Sequence, residues 1–297
     1  MTVIILIKRN IKLFFKDKGM FFTSLITPVI LLVLYSAFLG EVYRESFTAG
    51  IPADADISEG LIDGLVAGQL VSSILAVSCV TVAFCSNFLM VQDKATGNIK
   101  DFRISPINGA VLSVSYYAAA IISTLIICLS AATICLGYMG ASGWHMTFSD
   151  VLCLVLDVVL LVLFGTALSS VINFFLTTQG QISAVGAMIS AGYGFICGAY
   201  MPIASFGEGL RNVMVFLPGT YGTSLIREHC LDGVLAEMEM EGVPAAVTEG
   251  MRDSLDCNIY FSGSLVDEAC KYCIVAAAAA VLLAVYILLN CLIKPKG

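Results

Sequence analysis

Long apolar runs separated by short polar stretches dominate the chain. Six of them, Met20–Gly40, Leu65–Val91, Val111–Leu136, Val151–Leu176, Ile182–Met201 and Tyr272–Ile293, are each near the length a helix needs to cross hydrocarbon. Only a helix or a closed barrel satisfies its backbone polar groups inside a bilayer, so runs of this length predict transmembrane helices. Met20–Gly40 is too long for a signal-peptide core and lies behind a basic segment, which predicts a retained span. Before it, Val3, Ile4, Ile7, Ile11, Phe14 and Phe15 recur at helical spacing, with Lys8, Arg9, Lys12 and Lys16 on the other face and Ile5 and Leu6 intruding on it. That pattern predicts an interfacial amphipathic helix over residues 1–19, serving as a connector or as an anchor to anionic lipids.

Between the fifth and sixth runs lie about seventy residues of two characters. Ile203–Arg227 is apolar and broken by Gly207, Gly209, Pro218, Gly219 and Gly222, and reads as short helices dipping into a leaflet. Glu228–Glu268 is rich in carboxylates and reads as a small solvated cap, helical over Ala236–Glu241. The expected fold class is therefore all-α integral membrane: an amphipathic helix, then one transmembrane domain over 20–297. Its further features are a short helix between spans two and three, and re-entrant helices plus an acidic cap over about 202–271.

Composition agrees: 59% hydrophobic, 12% charged, mean hydropathy +0.94. The net charge of -7 conceals an asymmetry. Ten of the fifteen Lys and Arg fall on the side of the termini and the 93–103 loop, whereas the other side collects most of the acids. Basic loops stay cytoplasmic, so both termini and that loop are expected in the cytoplasm of a multi-pass plasma-membrane protein.

Catalytic signals are sparse. His145 and His229 are the only histidines, and neither an H-E-x-x-H nor a G-x-S-x-G string occurs. No G-x-x-x-x-G-K-[ST] string occurs either, so the chain has no P-loop of its own. Four of eleven cysteines, Cys230, Cys257, Cys270 and Cys273, cluster in or near the cap. In an oxidising exterior Cys230 with Cys257 is the first disulfide to expect; no metal site is expected.

Several polar positions sit inside the runs. Gln69, Ser72, Ser73 and Asn87 form a stripe that suits either a cavity lining or bundle packing. Gly186, Ser190, Gly194 and Gly198, four apart, allow another helix backbone close approach, in a dimer or within one subunit. Asp157 is the single acid within a run and a functional suspect, including for proton coupling, although it is shallow enough to reach the headgroups.

The loop from Asp93 to Ile107 carries the most specific pattern. Asp93, Gly97, Ile99, Phe102, Ser105 and Pro106 resemble the loop of the ABC-2 type permease family, with Asn98 in place of the usual Thr and Phe102 in place of Leu. A second resemblance follows the fifth run, at Met201-Pro202, Leu217-Pro218, Tyr221 and Arg227. The resemblance implies an exporter built from two permeases and two ABC ATPase subunits. Residues 93–105, with Arg103 among them, would form the coupling helix, and the glycine-bearing fifth span would lie near the interface with a second copy or a paralogue. ATP and Mg would be bound by the partner; this chain itself would hold no cofactor and bind no nucleic acid. An amphipathic or lipid-linked cargo suits a cavity with almost no charge. The acidic segment departs from the family's short outer connection. The alternative reading is a membrane receptor or scaffold that senses a ligand through its cap.

Overall fold

The computed structural model describes residues 2–50, 57–99 and 108–292, and the following statements concern those residues. The chain is helical almost throughout. In order come α1 (Thr2–Lys16), α2 (Lys18–Leu34), a π-helical turn (Tyr35–Leu39), α3 (Gly40–Gly50), α4 (Glu59–Ala95), α5 (Gly109–Ser142), α6 (Phe148–Phe175) and α7 (Gln179–Ile196). After a 3-10 turn (Ile203–Ser205) follow α8 (Glu208–Val215), α9 (Pro218–Met240), α10 (Ala245–Ser254) and α11 (Glu268–Leu292). One small antiparallel hairpin interrupts this, β1 (Tyr260–Phe261) with β2 (Ser264–Leu265). Its turn residues Ser262 and Gly263 both have positive φ, 51° and 83°, the geometry that lets two twisted strands meet across two residues.

Four helices, α4, α5, α6 and α11, are long and apolar enough to cross a membrane. They correspond to the second, third, fourth and sixth apolar runs. The expected count of six is not reached by length and composition. The first run is divided among α2, which contains Pro28, the π turn and α3. The fifth is carried by α7, which opens on Gln179 and Gln181, contains four glycines and ends at Ile196.

Helix ends follow local chemistry. Thr147 with Asp150 forms a capping box at α6, Thr178 with Gln181 another at α7, and the Asn108 side chain accepts from the Ala110 amide at the start of α5. Pro218 occupies the first turn of α9, where a missing amide hydrogen costs nothing.

α4 is the axis. At 37 residues it is about 55 Å long, well beyond the hydrocarbon thickness, and it is buried on nearly all sides. Its middle and C-terminal parts pack into the bundle core with α5, α6 and α11. Its N-terminal turns, through Leu61, Leu65, Val66 and Leu70, enter a second core with Leu231, Val234, Leu235, Met238, Met251 and Leu255. The region expected as a solvated cap therefore has its own apolar interior. The expected change of character at Arg227/Glu228 makes no break in the helix: α9 runs straight through it, buried all round over Gly219–Arg227 and continuing through His229, Cys230 and Leu231 to a face of Val234, Leu235 and Met238. We call this the cap end, and the opposite one, with α1 and Lys94, the basic end.

Close helix approach is set by small residues. A side-chain carbon on Gly68 of α4 would come 2.8 Å from the Cys230 carbonyl oxygen of α9. Gly68→Ala is expected to destabilise the protein by about 1–3 kcal/mol through forced separation of the two helices, read as a lowered thermal midpoint. Asn87 supplies polar glue between α4 and α6, donating to Ser169 Oγ at 2.7 Å, Ser170 Oγ at 2.6 Å and the Thr166 carbonyl at 3.2 Å.

α1 lies along α5 and departs from its expected orientation. The buried residues are Leu6, Asn10 and Phe14, spaced by four, so Leu6 is a core residue rather than an intrusion. Ile4 and Ile5 remain exposed, and Lys8, Lys12 and Lys16 point outward.

Candidate functional site

At the basic end, the last turn of α4 gathers three segments onto one carboxylate. Asp93 is 3% exposed. Arg9 of α1 donates to both its oxygens, at 2.7 and 3.2 Å, the two-pronged geometry that makes guanidinium–carboxylate pairs directional. Tyr116 of α5 donates to it at 2.5 Å, and Asn98, at the start of the next helical turn, donates at 3.1 Å. Between them Gly97 takes φ +82°, the left-handed conformation that ends α4 and turns the chain toward Asn98. Beside it, Lys94 donates to the carbonyls of Asn173, Phe174 and Leu176 at 3.1, 2.6 and 3.2 Å, neutralising the C-terminus of α6.

A displacement of α1 or of the 97–99 segment thus acts directly on the ends of α4, α5 and α6. Ile99 is buried, so this apolar point of the expected coupling helix faces its own chain. Phe102, Arg103, Ser105 and Pro106 lie outside the described residues. Arg9 was visible on the polar face of α1 and Asp93 in the loop pattern, but nothing local paired them across 84 positions, and Tyr116 carried no signal.

The expected polar stripe lies inside the subunit. Gln69, Ser72, Ser73 and Asn87 are all buried, at 0, 0, 1 and 2% exposure. Ser72 donates to the Gln69 carbonyl, Ser73 meets Arg227, and the space beside Asn87 is only about 10 Å³. The Gln69 side-chain amide, by contrast, is buried without a hydrogen-bond partner among the described residues. The glycines among the spaced-by-four residues of α7 pack against their own chain: Gly186 lies against Phe88 of α4, Gly194 beneath the Tyr200 ring, and Gly198, at φ +74°, against Ile203, past the end of the helix. Ser190 alone of the four is exposed. A larger space of about 700 Å³ opens between α6, α7, the start of α9 and α11, walled by apolar residues such as Phe164, Leu168, Met188, Ile196, Ala278 and Val281.

At the cap end two polar clusters join the cap to the bundle. Arg227, 0% exposed, donates to the Leu255 carbonyl at 2.7 Å and the Gly198 carbonyl at 2.9 Å, and meets Asp256 at 3.4 Å and Ser73 at 3.5 Å. Asp256, held at positive φ of 58°, also accepts the Ile203 amide at 2.6 Å. One guanidinium therefore links α4, the chain after α7, and the cap. The second cluster surrounds Asp157, which is buried rather than reaching a headgroup region: it accepts from Tyr272 of α11 at 2.6 Å and pairs with His229 of α9 at 2.7 Å. Cys230 and Cys257 are buried free thiols, unbridged in this structure, and burial pushes the Cys257 thiol up to about 12.

The two ends, a charge-tied junction of α1, α4 and α5 and a polar-stitched cap, bracket a largely apolar helix bundle. A comparison with curated proteins found no match. The sequence model of the ABC-2 type transporter matches residues 1–230, ending one residue after His229 and leaving most of the cap and α11 outside the match. With the match covering most of its length, the chain belongs to the ABC-2 type transporter family: it is the multi-pass transmembrane component of an ABC transporter, a permease that pairs with an ABC ATPase subunit.

Proposed function

We propose that the chain is the membrane half of an ATP-driven exporter that moves an amphipathic or lipid-like molecule out of the cytoplasm. The observation that carries this reading is the Asp93 junction. It ties the connecting helix α1, the end of the axial helix α4, α5 and the first residues of the coupling segment into one unit, so a push from an ATPase on that segment is transmitted along α4 to the cap. In this reading the basic end is cytoplasmic, in keeping with its Lys and Arg content. α2 with its π turn, and α7, supply the first and fifth of six spans. Two copies, or one copy and a paralogue, enclose the path, and two ATPase subunits bind ATP and Mg. The apolar walls of the space between α6, α7 and α11 support a cargo with a large hydrocarbon part.

The test is transport. The permease–ATPase complex, purified from native membranes and reconstituted in vesicles, is expected to move a fluorescently tagged phospholipid or amphipathic dye between leaflets in an ATP-dependent manner. Movement of neither probe, with ATP hydrolysis unaffected by both, would sink the amphipathic-cargo reading.

A further inference from the structure

The cluster around His229 has no part in the coupling geometry, yet it joins three helices at one titratable ring. His229 is 5% exposed on α9. Its Nδ1 faces Asp157 Oδ2 of α6 at 2.7 Å and the Leu225 carbonyl at 3.0 Å, and its Nε2 faces Glu268 Oε1 of α11 at 3.4 Å. Nδ1 is within hydrogen-bond distance of two acceptors, and Nε2 lies at ion-pair distance from a third. A neutral imidazole donates from one nitrogen only and would leave a lone pair facing Glu268, so the doubly protonated ring suits the arrangement better than a neutral one.

The surroundings leave the ring as the local cation. Asp157 comes from α6, Glu268 and Tyr272 from α11, and Glu228 from α9 itself; Lys271 of α11 is engaged by Glu228 at 2.7 Å and the Cys257 carbonyl at 2.6 Å. Arg252 of α10 is paired with Asp232, one turn further along α9. Asp157 meets no Lys or Arg among the described residues and accepts only from His229 and Tyr272.

We propose that His229 is a proton-operated latch: with both nitrogens protonated it clamps the cap helix α9 to α6 and α11, and loss of one proton releases the Glu268 side and loosens the cap. The electrostatics run the same way. Burial alone would lower the imidazole's affinity for its proton, but the hydrogen bond to Asp157 and the charges of Asp157, Glu268 and Glu228 outweigh it and raise the pKa from 6.5 to about 9. A group whose folded pKa is raised contributes stability that is complete below its ordinary value and is lost as pH rises through the folded one. The latch is therefore closed below about 6.5 and opens toward 9.

With only two histidines in the chain, the test is direct. In the full-length protein in lipid nanodiscs, ring-carbon NMR of 13C-labelled histidine, assigned with His145→Gln, is expected to show His229 still protonated at pH 8, with a midpoint near 9. Glu268→Gln, at a half-exposed position that does not threaten folding, is expected to move that midpoint downward, and Asp157→Asn to move it further. Amide exchange of residues 225–231, corrected for the intrinsic pH dependence, is expected to rise with the same midpoint and to lose that dependence in His229→Gln. A His229 midpoint at or below 7 would overturn the proposal, as would cap exchange that does not follow the histidine's titration in the wild-type protein.

Discussion

Arg227→Met is expected to destabilise the protein by about 3–5 kcal/mol, the range for removing one partner of a buried ion pair. The guanidinium is sealed from solvent, and its loss strands the carbonyls of Leu255 and Gly198 and leaves the Asp256 carboxylate, 5% exposed, without its paired cation and with only the more weakly acting charge of Arg211 nearby. Arg227→Lys should recover little. A single ammonium cannot span the fork that reaches Leu255 and Gly198 together, and its stronger hydration raises the cost of burial. The double variant Arg227→Met/Asp256→Asn should be less damaged than Arg227→Met, because the orphaned charge is gone. Thermal unfolding in nanodiscs, followed by far-UV circular dichroism, reads all three; an Arg227→Met protein as stable as wild type would mean that the cap is not held at this point.

The second large effect concerns the basic end. Asp93→Ala removes the acceptor shared by Arg9, Tyr116 and Asn98 while leaving the apolar packing of α4 intact. The complex with its ATPase is expected to assemble and to hydrolyse ATP, whereas ATP-driven transport falls by roughly 5–150-fold, the span of ordinary coupling energies. Exchanging the charges, Arg9→Asp with Asp93→Arg, should restore part of the loss. Tyr116→Phe, which keeps the ion pair, should cost less than Asp93→Ala. Hydrolysis and transport measured on the same vesicles separate coupling from assembly, and equal losses in both for Asp93→Ala would contradict the junction's assigned role.

Local pattern carried much of this architecture. Four apolar runs became α4, α5, α6 and α11, and Lys8, Lys12 and Lys16 of α1 lie outward as their spacing predicts. The apolar interior of the cap is not legible locally, because the carboxylates of α9 alternate with Leu231, Val234, Leu235 and Met238, whose burial only the packing partners from α4 and α10 make necessary. The small residues of α7 suit a dimer seam or packing within one subunit equally well by sequence, and Tyr200 and Phe88 fill two of those positions from the same chain. Pairings such as Arg9 with Asp93, or Asp157 with His229, span 84 and 72 positions, beyond the reach of any helical repeat. Asp157 is conspicuous by sequence as a lone acid in an apolar run, but its shallow depth also suits contact with headgroups, and nothing local marks it as buried. Its partners, His229 and Tyr272, come from segments that no local pattern links to it.

The central claim, that a separate ATPase works on this permease through the segment after Asp93, is tested most directly by co-purification. Isolated in mild detergent from its native membrane, the wild-type chain should bring down a P-loop ATPase subunit, and the same chain with residues 97–102 scrambled should fold, insert and come down without it. Equal recovery of the ATPase with both chains, or recovery of an active permease with no nucleotide-binding subunit at all, would contradict the account.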